Sequence, residues 1–140
     1  MTTVRSIIEE RIRTQIPGLR QVAGAAGLGT IGTGRVIPPA AFVVEAANTA
    51  GEAIEGSQQV TESIAVVVVV DNRRDPRGAD ASDTCRQWRD QVSAALLGWR
   101  PSPAHDPITY IRGSLVALTE TTLSWQELYQ TIGVRHAGQE

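Results

Sequence analysis

Apolar residues recur at helical spacing at the start of the chain. Val4, Ile7, Ile8 and Ile12 share one face, while Arg5, Glu9, Glu10 and Arg13 lie elsewhere around the axis. This pattern predicts a helix capped by Thr2 or Thr3 and stopped at Pro17-Gly18. Residues 19–23 predict a short strand. Ala41-Phe42-Val43-Val44-Glu45-Ala46 predicts a second, and the polar, small residues from 48 to 56 predict a loop. Ser57 to Ser63 then leads into Ile64-Ala65-Val66-Val67-Val68-Val69-Val70. A valine run disfavours helix and suits a pleated surface. Its lack of alternation predicts a central strand covered on both faces, by helices on one and by a loop or another subunit on the other.

A second amphipathic helix is predicted from about Asp80 or Ser82 to Leu97. Cys85, Trp88, Val92, Ala95, Leu96 and Trp99 form its apolar stripe, with Arg86, Arg89, Asp90 and Ser93 expected to face mostly away, and Gly98 is the stop. Pro101, Pro103 and Pro107 mark a connector that Trp99 is expected to pin. Residues 108–119 and 121–134 are rich in β-branched and aromatic positions and predict two paired antiparallel strands. The order is α-β-β-β-α-β-β. Two helices cannot cover both faces of five strands, so the expected fold class is α+β: two layers, a mixed or mainly antiparallel sheet, both helices on one face. One domain over residues 1–140 is expected, with a flexible loop at 24–39 and a frayed tail at 135–140.

Composition narrows the function. All 13 basic residues are arginine and the net charge is −2, so the basic footprint of a nucleic-acid binder is missing. A single cysteine, Cys85, excludes an intramolecular disulfide and a thiolate metal cluster. The first residues lack the basic start and apolar run of a signal peptide, and the valine run is too short to span a bilayer.

Three motifs invite chemistry, and each is weighed against a plainer role. Gly27-Leu28-Gly29-Thr30-Ile31-Gly32 fits the G-x-G-x-x-G spacing, but a dinucleotide site needs a strand before it and a helix opening within it. Here the sequence leads through Arg35 to Pro38-Pro39 and a strand, so a flexible loop is expected. Asp71, Asp75, Asp80 and Asp83 are interleaved with Arg73, Arg74 and Arg77, which would compete with any cation; the spacing matches no calcium loop. Cys85, His105 and His136 raise a nucleophile–base arrangement, yet Cys85 sits on an apolar stripe and no G-x-S-x-G elbow exists. No cofactor, metal or catalytic residue is assigned.

One family fits these segments in order. The helix end Ala94-Ala95-Leu96-Leu97-Gly98-Trp99-Arg100-Pro101, the pair Tyr110-Ile111-Arg112-Gly113-Ser114-Leu115-Val116 and Leu123-Ser124-Trp125-Gln126-Glu127-Leu128-Tyr129-Gln130-Thr131, the approach Gln58-Gln59-Val60-Thr61-Glu62, and the opening helix ending at Ile16-Pro17-Gly18-Leu19 carry the resemblance. The chain resembles the tail terminator proteins of long-tailed phages, the group with the lambda-type minor tail protein U and related small neck proteins. The resemblance implies a non-enzymatic virion subunit at the head–tail junction, made in the host cytoplasm and needing no cofactor. Its implied partners are further copies of itself in a hexameric ring, the tail tube protein, and a head-side connector or stopper. DNA would pass through the ring without sequence-specific binding. Ring closure needs two different patches on each subunit. Arg73, Arg74, Asp75, Arg77, Gly27, Gly29, Gly32 and Arg35 are the expected contact residues, because loops on a rigid frame supply contacts. Another head–tail joining protein, or a small ligand-binding domain, are the alternatives.

Overall fold

The computed structural model describes residues 3–30, 35–73 and 79–136. The elements follow the predicted order: α1 (Val4–Gln15), β1 (Gln21–Ala23), a 3-10 helix (Ala25–Thr30), β2 (Ala40–Ile54), β3 (Ser57–Asp71), α2 (Ala79–Leu96), β4 (Thr109–Leu118) and β5 (Thr122–His136). The five strands form one sheet in the order β1-β2-β3-β5-β4. Only β1 and β2 run parallel; the other pairs are antiparallel. The fold is therefore α+β with a mixed, mainly antiparallel sheet.

Thr3 caps α1. Its hydroxyl accepts from the Ser6 N–H, and the Ser6 hydroxyl accepts from the Thr3 N–H in return. Two otherwise unpaired donors of the first turn are thus satisfied. Gly98, with φ +78°, ends α2 and donates its N–H to the Ile108 carbonyl at 3.0 Å. Trp99 donates back to Leu96 and accepts from Ile108, so it pins the connector as predicted.

The valine strand is the middle of the sheet, and both of its faces are covered. Val66, Val68 and Val70 pack with Ala41 and Val43 beneath Val4, Ile8 and Ile12 of α1 and Ala81, Cys85, Val92 and Leu96 of α2. Both helices therefore lie on one face. Val67 and Val69 point the other way, where Ala40 and Phe42 join them and Val36 closes over the cluster. Each face buries its own set because neighbouring side chains of a strand alternate, and a run apolar at every position serves both.

One expectation is corrected. The expected loop at 48–56 is strand: β2 continues to Ile54, and only Glu55 (φ 41°) and Gly56 (φ 83°) make the turn into β3. Two consecutive residues with positive φ suit the twist of a two-residue hairpin. Residues 25–30 of the glycine stretch form a 3-10 helix. Arg135 and His136 of the expected tail pair with Gln58 and Ser57 of β3.

Candidate assembly surface

β2, β3 and β5 outrun the two edge strands β1 and β4. β1 pairs only with Ala40–Phe42, so the outer edge of β2 is open from residue 43 onward. Beyond Val44 every residue of β2 is exposed, Ile54 to 65%. The inner side of this arm is held: Ser57 to Glu62 of β3 pair with His136 to Thr131 of β5. On the far side, the connector covers β5, where Asp106 N–H donates to the Ile132 carbonyl at 2.8 Å and accepts through its own carbonyl from the Thr131 hydroxyl at 2.7 Å.

His105 fastens that connector. Its Nε2 lies 3.0 Å from Glu62 Oε2 and its Nδ1 2.6 Å from Ser102 Oγ. The ring lies so close over Gly133 that a Cβ there would be 2.7 Å from His105 Cδ2. A serine, an imidazole and a carboxylate in line have the outline of a nucleophile–base–orienter set. Ser102 Oγ, however, also accepts the Ala104 N–H of its own turn at 3.1 Å, which ties it into the loop. The trio works as a clasp between connector and sheet. Sequence reading missed Glu62 and Ser102 here, since Glu62 is 43 positions from His105 and nothing local links them.

The opposite end of the sheet carries the charged loop. Asp71 ends β3, and its Oδ1 accepts the Arg73 N–H at 2.8 Å. Asn72 is buried; it donates through Nδ2 to the Thr119 carbonyl at 2.6 Å and through its N–H to the Thr121 carbonyl at 2.9 Å. The base of the loop is thereby tied to the turn between β4 and β5. Asp71, Asn72, Asp80, Asp83, Pro39 and Trp88 border a cleft of about 590 Å³ there. Among the described residues no group of three or more His, Cys, Asp or Glu is placed to hold a metal ion. Asp80, in the first turn of α2, complements the helix dipole.

The expected contact residues separate as follows. Arg73 is exposed at the loop base. Arg74, Asp75, Arg77 and Gly32 lie outside the described residues. Gly27 is inside the 3-10 helix and donates to the Gly24 carbonyl at 3.0 Å. A Cβ on Gly27 would fall 2.4 Å from the Phe42 ring, so this glycine is required by packing. A Cβ on Gly29 would meet nothing within 4 Å. Arg35 is exposed, just before the Val36 that seals the smaller core. Residues 25–30 thus sit against β2.

β4 is the other edge of the sheet, and its surface is apolar. Tyr110, Ile111, Leu115, Val116 and Leu118 are all exposed. Leu115 and Leu118 border a groove of about 370 Å³ together with Ala79, Cys85, Arg89 and Trp125. Arg89 lies at this groove, which corrects the expectation that it faces away from the core. Its Nε donates to Glu127 Oε1 at 2.5 Å, and its guanidinium stacks 3.9 Å from the centre of the Trp125 ring. Trp125 Nε1 donates to the same Glu127 oxygen at 2.9 Å. Ser93, also expected outside, reaches the Tyr129 hydroxyl at 2.8 Å. Cys85 is buried beside them, and burial pushes its thiol up to about 11, which removes it as a nucleophile at neutral pH.

The model of one family, the phage tail terminator protein, matches residues 3–138. The chain belongs to the phage tail terminator family. A tail terminator is a structural, tail-associated virion protein and not an enzyme, and the clasp at His105 is read accordingly. No curated protein matches the chain in sequence. Among solved structures, a chain from the virion of a native gene transfer agent particle is similar, with 14% identity, a TM-score of 0.55, and coverage of 96% of this terminator and 100% of that chain. At that identity the likeness is one of fold. Among the described residues no helix is long and apolar enough to cross a membrane.

Proposed function

We propose that this tail terminator caps the finished tail tube as a ring, most simply a hexamer, and offers the head-side connector its joining surface at the head–tail junction. The observation that carries the reading is the family match from residue 3 to residue 138, which takes in the arm, both sheet edges and the charged loop. The fold supports it. A ring needs each subunit to offer one patch to a different patch of its neighbour, and the β2 arm and the β4 edge are two such unlike patches on opposite borders of one sheet. The two ends of the sheet also differ. One carries Asp71, Arg73 and the start of α2; the other carries the hairpin turn and the His105 clasp. Such polarity suits a ring with a tube side and a connector side, whose lumen passes DNA without reading its sequence. The fold's likeness to a chain of a gene transfer agent virion is in keeping with a place in a tailed particle.

The test is a tube-growth assay. Purified protein added to elongating tail tubes should halt elongation and leave rings at one tube end in negative stain. Unchanged elongation with no end-bound density overturns the reading.

A further inference from the structure

Two strand edges of the described sheet lack a partner for most of their length: the outer edge of β2 along the arm and the outer edge of β4. Unpaired edges bind other strands, and proteins normally bulge or charge them to prevent this. We propose that these edges pair with each other between copies, the β2 arm of one subunit adding as a strand to β4 of the next. This rests on the ring reading and specifies its contact.

Direction follows from topology. β4 is antiparallel to β5, β5 to β3, and β3 to β2, so β4 and β2 of one copy run in opposite senses. Rotation about an axis along the strands preserves those senses. The β2 arm of the next copy therefore meets β4 antiparallel, continuing the alternation already present.

Register follows from length and irregularity. β4 has 10 residues, and residues 45–54 of the 15-residue β2 span the same length. Full antiparallel overlap sets Thr49 opposite Ser114. Each strand carries two bulges: β2 between Glu45 and Ala47 and between Ala50 and Ala53, β4 between Tyr110 and Arg112 and between Leu115 and Ala117. In this register the Glu45/Ala47 bulge falls against the Leu115/Ala117 bulge, and the Ala50/Ala53 bulge against the Tyr110/Arg112 bulge. Bulges discourage pairing with a regular strand; matched bulges leave a mate of the same shape acceptable.

Charge agrees. The only charged residue of β4 is Arg112, whereas β2 carries Glu45 and Glu52, and Glu55 follows in the turn. The register sets Gly51 opposite Arg112 and Glu52 opposite Ile111, so an acidic arm lies along an edge whose single charged residue is a cation. The apolar side chains exposed on β4, together with Ile54 on the arm, gain cover from the same contact.

The buried Cys85 leaves the background silent for cysteine crosslinking. Thr49→Cys and Ser114→Cys are both at exposed positions, so each variant should fold. The double variant, assembled on tail tubes and oxidised, should give a ladder of disulfide-linked multimers that collapses on reduction; either single variant should stay monomeric. As a second readout, β4 amides should exchange more slowly in the assembly than in the free subunit. Rings on tubes without a ladder and without slowed β4 exchange overturn the edge pairing and leave the ring reading standing. Absence of rings with the unaltered protein overturns both.

Discussion

Arg89 and Glu127 tie α2 to the centre of the sheet. The Arg89 Nε–Glu127 Oε1 contact is 2.5 Å, and the Glu127 side chain is only 3% exposed. A buried charge that loses its partner costs much more than the pair itself contributes. Glu127→Ala should therefore destabilise the subunit by about 3 kcal/mol, by analogy with broken buried pairs. It also strips Trp125 Nε1 of its acceptor. Urea unfolding measures this; a loss below about 1 kcal/mol, the range of exposed pairs, would show that the contact is a surface one.

Two glycines of the same short helix should respond oppositely. Gly27→Ala drives a methyl into the Phe42 ring, which is fully buried and cannot step aside. The expected cost is about 1–3 kcal/mol, the range for overpacking. Gly29→Ala meets open space and should be neutral or slightly stabilising, because alanine narrows the unfolded ensemble. Thermal melts of the two variants separate them, and equal midpoints would contradict the packing described.

The frame of this fold was legible because its core obeys simple periods. Val4, Ile8 and Ile12 repeat at helical spacing, and the valine run serves two faces at once. The arm was not legible, because a strand exposed on both faces has no alternation to read; residues 48–56 look like a loop. Arg89 was misplaced although a signal existed. It lies four positions after Cys85 and seven before Leu96, on the very stripe that is buried, and only its charge suggested otherwise. The clasp of Glu62, Ser102 and His105 joins distant segments and had no sequence signature. The expected contact residues fall into separate places: Gly27 is a packing residue, whereas Arg73 stands on a tied-down loop base.

Tyr129 gives a pH dependence. Burial, with Glu127 and Tyr110 nearby, pushes its hydroxyl up to about 12 against the opposing hydrogen bond with Ser93. In the unfolded chain the phenol ionises near its ordinary value, about 10. The folded state thus holds the proton longer, so this contribution to stability is full below pH 10 and declines as pH rises toward 12. Tyr129→Phe should flatten that decline in stability. An unchanged slope between pH 10 and 12 would contradict it.

The charged loop is tested by changing Arg73, Arg74 and Arg77 together to Ala. If they reach acidic groups of a neighbouring protein, the subunit should keep its melting temperature while tail capping fails, the more so as salt rises. Normal tail length and normal head joining in this variant would reject a contact role for the loop.

The ring at the end of the tail is the arrangement on which the proposed function stands. A reconstruction of the intact particle tests it most directly, by locating this chain. The expected density is a closed ring of six copies between the last turn of the tube and the head-side connector, each sheet continuing into the next. Density for this chain elsewhere in the particle, or in an open or unringed arrangement at the tail end, would contradict it.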